Sequence, residues 1–586
     1  MAKKKQQKLE LTWIGKGDEP TLEPRILIEN PEYSYGDSNS DNMLIHGDNL
    51  LALKALEQDY AGKIKCIYID PPYNTGSRID ADGKEVGYED GIEHSEWLSM
   101  MKPRLELLKN LLHEDGTLAV QIDDNEYARL YMLLLEVFHS QKNLKTICVK
   151  MSEATGVKMA HVVNSGRIPK LKEYIIVARK NGIKNLFVER IPKDKWDNEY
   201  KIFGQGVTKK EVILVKEIMN NKDATDEDII IADSICSKFT FASINELYQL
   251  EKVNTVEDKL RVKYENSWRI FRDVATTGGA KSIADEKRKL NTNSSFLIIT
   301  PQKKKYLIKS GYNSEASQPR IKLLFADDYL TIHPGDFWQD IKTTGLDNEG
   351  GVTFKKGKKP EALVKRVIGM ASNKGDLVLD SFVGSGTTSA VANKMERKWI
   401  GIEMGPHCFS HTIPRMKNVI DGNDNQGITS DVNWQGGGGF KFYELAPSLL
   451  NKDQYDNWVI SKEYNANMLA AAMAKQEGFS YSPNAENYWK QGFSSEQDFI
   501  YTTTQFVTVE LLDQLHDQLQ EGDSLLICAK KFQPECANRF GNISLKKIPQ
   551  MLLGKCEFAK DDYSLNIINL PQEDDINETE EDFDNE

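Results

Sequence analysis

The chain has 586 residues, 40% of them apolar and 28% charged, with a formal net charge of −13. This is ordinary globular composition, which excludes a disordered, collagenous or fibrous protein, and the length exceeds what one core fills, so about two to four domains are expected. No run approaches about 18 apolar residues and the first thirty residues lack the apolar core of a signal peptide, so a soluble, non-exported protein with no membrane partner is expected.

The first 40 residues open with Lys3, Lys4, Lys5 and Lys8 and continue with Pro20, Pro24, Pro31 and Gly36. They read as an extended arm. Met43–Asp48 (MLIHGD) reads as a short strand and Asn49–Asp59 as a helix with Leu50, Leu53 and Leu56 on one side. Lys63–Asp70 (KIKCIYID) is a buried-type strand stopped by Pro71 and Pro72. His94–Leu112 has helical spacing, Gly116–Ile122 reads as a strand and Glu126–Phe138 as a helix. Alternating strands and helices predict a mostly parallel α/β sheet. The alternation fades between about 186 and 330, as in an inserted domain. It returns with a helix over Glu361–Met370, a strand at Leu377–Asp380, a helix over Thr387–Met395 and a strand at Trp399–Glu403. Gly436–Gly439 marks a break, and residues 446–570 read as a further α/β region. The seven cysteines are scattered with no CxxC pair, which disfavours a disulfide framework or zinc ribbon and fits a reducing, cytoplasmic setting.

The acidic net charge is unevenly spread. Glu573–Glu586 carry nine acids and no base, so the rest of the chain is near −4. Residues 141–190 hold eleven Lys/Arg against three Asp/Glu, and residues 261–325 hold fourteen against five. A local basic surface, rather than the whole-chain charge, is what meets phosphate, although such stretches also occur as plain solvated faces. Lys281, Lys287, Arg288, Lys289 and Lys303–Lys305 are the candidates for phosphate contact.

Two motifs carry chemistry. The first is Asp70-Pro71-Pro72-Tyr73, followed by Asn74-Thr75-Gly76, at the end of a buried strand. Ligands of doubly wound sheets sit beyond the carboxyl ends of strands. Two prolines stiffen the turn, so the Asp70 carboxylate and the Pro71 carbonyl are fixed acceptors that match an amine with two N–H donors. Tyr73 offers an aromatic face for a base. The second is Leu377–Thr388 (LVLDSFVGSGTT), a strand ending at Asp380, a glycine-rich turn and a helix. Gly384 and Gly386 let the backbone approach a ligand where a Cβ would collide. Glu403 ends the next strand 17 residues after Gly386, placed to accept ribose hydroxyls. No GxxxxGK[ST] is present, so a phosphate-cradling P-loop is disfavoured. No metal constellation is visible, and His46 and His94 read as structural.

DPPY with FVGSG resembles the S-adenosylmethionine-dependent amino-methyltransferases of DNA. DPPY precedes the glycine-rich turn by about 310 residues, which is similar to the circularly permuted, beta-class order of that family. Further segments carry the resemblance: Asn42–Leu56, Trp97–Phe138, Phe337–Met370 with Lys359-Pro360, and Gly436–Leu445 (GGGGFKFYEL). The length, DPPYNTG and GGGGFKFYEL look most like the modification subunit of type III restriction–modification systems.

The resemblance implies a Rossmann-like methyltransferase sheet. It divides the chain into an arm (1–40), a catalytic half (41–185), a target-recognition insert (186–330), a cofactor half (331–445), a C-terminal domain (446–570) and an acidic tail (571–586). It implies S-adenosyl-L-methionine as cofactor, held by Asp48, Asp380, Phe382, Gly384, Gly386, Thr387 and Glu403, with Asp48 at the cofactor adenine. Asp70, Pro71, Pro72 and Tyr73 would hold the target base. The implied partners are double-stranded DNA, a second copy of the chain and an ATP-dependent restriction subunit. DPPY, rather than SPPY, points to adenine N6 over cytosine N4, and a non-catalytic DNA-binding or scaffold protein is the rival of another class.

Overall fold

The computed structural model describes residues 10–74, 94–152, 162–163, 166, 168–184, 186–193, 195–290, 293–343, 346, 349–354 and 357–561. The basic stub, the acidic tail, and Thr75 and Gly76 of the first motif lie outside the described residues. The chain forms two compact units, one of residues 1–188 with 335–586 and one of residues 189–334.

The larger unit is built on an 11-stranded mixed sheet. Its strands are β1 (Leu27–Glu29), β2 (Tyr35–Gly36), β3 (Met43–His46), β4 (Ile64–Ile69), β5 (Leu112–Ile122), β6 (Leu144–Lys150), β7 (Lys172–Ala178), β8 (Phe337–Trp338), β9 (Leu377–Asp380), β10 (Lys398–Glu403) and β11 (Gly439–Leu445). The spatial order is β1-β11-β3-β10-β9-β4-β5-β7-β6-β8, with β2 on β11. From β11 to β5 every neighbour is parallel. β7 then runs antiparallel to β5. Strand β9 slots between β4 and β10 although its sequence lies some 300 residues beyond β4.

Both faces of the parallel core are buried, and the period-two alternation of side chains shows how. Ile45, Ile67, Ile69, Leu118, Val120, Leu379, Ile400 and Ile402 share one apolar cluster. That cluster also holds Leu50 and Leu53 of α1 (Asn49–Tyr60), Trp97 and Leu105 of α2 (His94–Leu111), and Leu130 and Leu134 of α3 (Tyr127–Phe138). The intervening residues Leu44, Cys66, Tyr68, Ala119, Val378 and Trp399 point the other way. They pack with Leu363 and Val367 of α4 (Glu361–Ala371), Ala390 and Val391 of α5 (Thr387–Lys394), and Met416 and Val419 of α6 (Ile413–Ile420). Helices from the early and late parts of the sequence therefore cover opposite faces, which is a doubly wound α/β architecture.

The described part of the first 40 residues packs on the larger unit. β1 pairs antiparallel with β11, Glu23 accepts the Leu449 N–H at 2.7 Å, and Arg25 donates to the Ala446 carbonyl at 3.3 Å. Residues beyond 446 carry a five-stranded sheet in which Asp498–Val507, Ser524–Phe532 and Ile543–Lys547 are parallel.

The smaller unit has a six-stranded antiparallel sheet, including Ile202–Gln205, Ile270–Ala275 and Arg320–Phe325, with helices such as Lys209–Asn220 and Asp226–Ser237 against it. Most of its candidate phosphate contacts are engaged within the unit. Lys281 pairs with Asp285 at 2.9 Å, Lys287 with Asp233 at 2.6 Å and Lys289 with Glu286 at 2.8 Å. Arg288 donates to the Tyr312 carbonyl and buried Lys305 to the Asn221 carbonyl. Lys303 and Lys304 are exposed.

Candidate active site at the carboxyl edge of the sheet

Strands β3, β10, β9 and β4 are consecutive and parallel, so their carboxyl ends form one edge. Each delivers an acid there. Asp48 follows β3, Glu403 ends β10, Asp380 ends β9 and Asp70 follows β4. Neighbouring strands are about 4.8 Å apart. The two motifs, distant in sequence, meet along this edge.

Asp380 is buried and anchors its own turn. Its carboxylate accepts the Phe382 N–H at 2.9 Å and the Thr388 hydroxyl at 2.5 Å. Burial pushes the carboxyl up to about 7; the Thr388 and Phe382 donors oppose this and the Asp70 and Glu403 charges add to it. Gly384 and Gly386 take φ of +53° and +80°, where a side-chain-bearing residue would be strained. A Cβ on Gly386 would also crowd Thr412 at 3.2 Å. Glu403 accepts the Gly384 N–H at 2.8 Å on one oxygen, and the N–H groups of Met404 and Gly405 on the other. The His407 ring nitrogen lies 3.0 Å away. Burial disfavours the Glu403 charge, but His407 and the backbone donors outweigh it and hold the carboxyl below its ordinary value. Phe382 is half-buried against the α1–α3 cluster.

Thr387 opens α5 and accepts Nη1 of buried Arg415 at 2.7 Å. Arg415 also pairs with Glu361 at 2.8 Å, and Glu361 with Lys394 at 2.8 Å; all three side chains are fully buried. This ion network lies under the glycine-rich turn.

Asp48 behaves first as a structural residue. Its Oδ1 caps α1 through the Leu51 N–H at 3.0 Å, and its Oδ2 faces buried Arg104 at 3.4 Å. Next to it, Asn49 donates to the Ser381 carbonyl at 2.8 Å and accepts from Arg104 at 2.5 Å.

At the other end of the edge, Asp70 is engaged on both oxygens. Tyr73 donates to Oδ1 at 2.6 Å and Lys359 Nζ lies 3.0 Å from Oδ2. Tyr73 also reaches Glu173 at 3.0 Å, and Glu173 accepts Gln121 at 2.5 Å. Burial raises the Asp70 carboxyl above its ordinary value, the Lys359 cation opposes that and Glu173 adds to it. Burial likewise pushes the Tyr73 phenol far up, so it stays neutral. The Pro72 carbonyl is taken by Trp97 Nε1 at 2.7 Å, which fixes the Pro-Pro turn on α2. Asn74, at φ +55°, donates to buried Glu126 at 2.8 Å, and Glu126 also meets the His94 ring. His46 Nε2 sits 3.1 Å from the Met404 carbonyl.

The sequence reading missed Glu173, Gln121, Glu126, Arg104 and Arg415, and met Lys359 only as half of a Lys-Pro pair. Glu173 reaches this edge because β7 is antiparallel, so its amino end lies beside the carboxyl end of β5. An acid opening an apolar strand, KEYIIVA, was the available signal.

A family model described as DNA methylase matches residues 64–413, more than half of the chain. A probable type III restriction–modification enzyme HindVI Mod subunit of Haemophilus influenzae is 34% identical over 70% of this chain and 54% of its own length. The EcoPI Mod subunit of Escherichia phage P1 is 29% identical over 66% of this chain and 61% of its own. The chain thus spans between half and two thirds of the length of these two relatives. Among solved structures, the PvuII cytosine-N4-specific DNA methyltransferase superposes with a TM-score of 0.32 at 13% identity, over 71% of this chain and 93% of that one. The M1.HpyAVI–SAM complex does so at 0.29 and 12%, over 64% and 98%. By the span and position of the matched segment, which takes in β4, β9 and β10 whole, the chain belongs to the DNA methylase family.

Proposed function

We propose that this chain is a site-specific DNA methyltransferase that moves a methyl group from S-adenosyl-L-methionine to N6 of a flipped adenine, as the modification and specificity subunit of a type III restriction–modification system. The observation that carries the reading is the row of acids at the carboxyl ends of four consecutive parallel strands, with the DPPY turn beside the glycine-rich turn. The Mod subunits named above, from a bacterium and a phage, support the type III assignment.

The site suits the cofactor. Asp380 is a buried carboxylate whose described partners are neutral donors, and a cationic ligand would stabilise its charge. Beside it the buried Ser381 hydroxyl has no hydrogen-bond partner among the described residues. Asp380, Phe382, Gly384, Gly386, Thr387 and Glu403 would hold the cofactor, with Asp48 shaping the wall through α1. When bound, the cofactor supplies a methyl group already activated by its sulfonium.

The protein's part is to present the amine. An adenine amine is a poor nucleophile because its lone pair is delocalised into the ring. The Asp70 carboxylate and Pro71 carbonyl accept its two N–H donors and favour the pyramidal nitrogen needed for attack. Fixed acceptors of this kind stabilise the positive charge developing on nitrogen. Holding amine and methyl in line supplies several kcal/mol of the barrier. The target atom is buried in a duplex, so the base must leave the stack at a cost of a few kcal/mol, which stacking on Tyr73 partly offsets. Double-stranded DNA is the substrate, with a second copy of the chain and an ATP-dependent restriction subunit as partners, in the cytoplasm. No described helix is long and apolar enough to cross a membrane.

The test is transfer of labelled methyl to duplex DNA, followed by digestion to nucleosides and weighing. N6-methyladenine is expected. N4-methylcytosine alone would reject the base assignment, and an absence of label would reject the enzyme.

A further inference from the structure

Lys359 ends an irregular segment just before α4 and points into the DPPY turn. Its ammonium lies 3.0 Å from Asp70 Oδ2 and 3.5 Å from Glu173 Oε2. It also stands 4.8 Å from the centre of the Tyr73 ring. Only a tenth of its side-chain surface is exposed. Three elements thus converge on one cation: the turn after β4, the amino end of β7 and the lead-in to α4.

Two carboxylates this close in a poorly solvated site cannot both stay ionised without a counter-charge, because each disfavours the other's charge. A shared proton would settle on Asp70, whose carboxyl burial raises, rather than on Glu173, which Lys359, Gln121 and Tyr73 together hold low against its own burial. A protonated Asp70 puts an O–H donor where the amine also donates, and the negative charge that stabilises the developing cation is lost.

We propose that Lys359 is a positioning residue of the transfer reaction, acting through Asp70. It holds that carboxylate charged and turned toward Tyr73. Two carboxylates and one ammonium leave the cluster one net negative charge, opposite in sign to the charge that builds on the amine nitrogen. The inference rests on the methyltransferase reading for its catalytic consequence and on geometry alone for the Lys359–Asp70 coupling. The groups facing Asp70 are Lys359, Glu173, Tyr73, Tyr68 and Asp380, with the Lys170 ammonium 5.9 Å from the centre of the Tyr73 ring.

The experiment compares wild type with Lys359→Met, Lys359→Arg and the double variant Asp70→Asn/Lys359→Met. In single-turnover methyl transfer, the acidic limb of the Lys359→Met profile should move up by one pH unit or more, while Lys359→Arg stays near wild type. Cofactor affinity should be unchanged in both single variants. An unmoved acidic limb in Lys359→Met, with only a lower plateau, overturns the proposal. The second readout needs no activity. The urea midpoint of Lys359→Met should fall more steeply than wild type as pH rises from 5 to 8, and Asp70→Asn/Lys359→Met should lose that excess slope. Equal slopes in Lys359→Met and the double variant overturn the coupling. If wild type transfers no methyl to DNA, the functional reading fails while the unfolding comparison still decides the coupling. Should Lys359→Met not fold, Lys359→Gln keeps the polar reach without the charge and carries the same expectations.

Discussion

Asn49 donates its side-chain amide to the Ser381 carbonyl at 2.8 Å, joining positions 332 residues apart. The contact ties the first turn of α1 to the turn after β9, so the segment following β3 helps to fix the glycine-rich motif. Asn49 is also held by Arg104 at 2.5 Å. Asn49→Ala removes a hydrogen bond worth about 1 kcal/mol. It should weaken S-adenosyl-L-methionine binding roughly fivefold by calorimetry, as the Ser381 turn loosens. Unchanged affinity would show that the turn is set by β9 and α5 alone.

Asp380 gives a pH dependence with a defined sign. Its carboxyl stands near 7 in the fold against 3.8 for an ordinary aspartate, mainly through burial. Between those values the folded chain binds a proton that the unfolded chain releases. The associated stability is therefore full below about pH 4 and is lost as pH rises through 7. Asp380→Asn keeps a partner for Phe382 and Thr388 without the charge. Relative to wild type, it should gain stability from pH 5 to pH 8, by at most about 4 kcal/mol. A parallel pH dependence of the two unfolding midpoints would remove Asp380 as the cause. Cofactor binding near pH 7 should release a proton, visible as a calorimetric enthalpy that varies with the buffer.

The ion network under the glycine-rich turn should matter to stability more than to chemistry. Glu361 is shared by Arg415 and Lys394 with all three fully buried. Removing one member leaves an uncompensated buried charge, typically a loss of about 3–5 kcal/mol. Glu361→Ala should lower the urea midpoint markedly, whereas removing an exposed pair such as Lys289–Glu286 should scarcely move it.

Much of the core was legible in the sequence because it obeys local rules. Leu377–Asp380 is a strand with the expected bounds, and α1, α2 and α3 fall within one residue of expectation. Apolar runs and the Pro71-Pro72 stop carried that information. The strand beginning at Leu112 rather than Gly116 was hidden, because His113, Glu114 and Asp115 look like a turn and sit in the register break between the Ile64–Leu112 and Cys66–Thr117 pairs. Long-range direction was hidden too. Nothing local reveals that β7 is antiparallel, and that alone carries Glu173 to Tyr73. The expected phosphate-binding lysines share this limit, since composition shows charge and only the fold shows that Lys281, Lys287 and Lys289 have acidic partners.

In the proposed reaction, amine and methyl meet in one cleft between the DPPY turn and the glycine-rich turn. Asp70→Ala tests it most directly, with methyl transfer to duplex DNA and cofactor binding measured on the same preparation. Transfer should fall roughly a hundredfold or more, with cofactor binding still measurable. Full transfer by Asp70→Ala would contradict it.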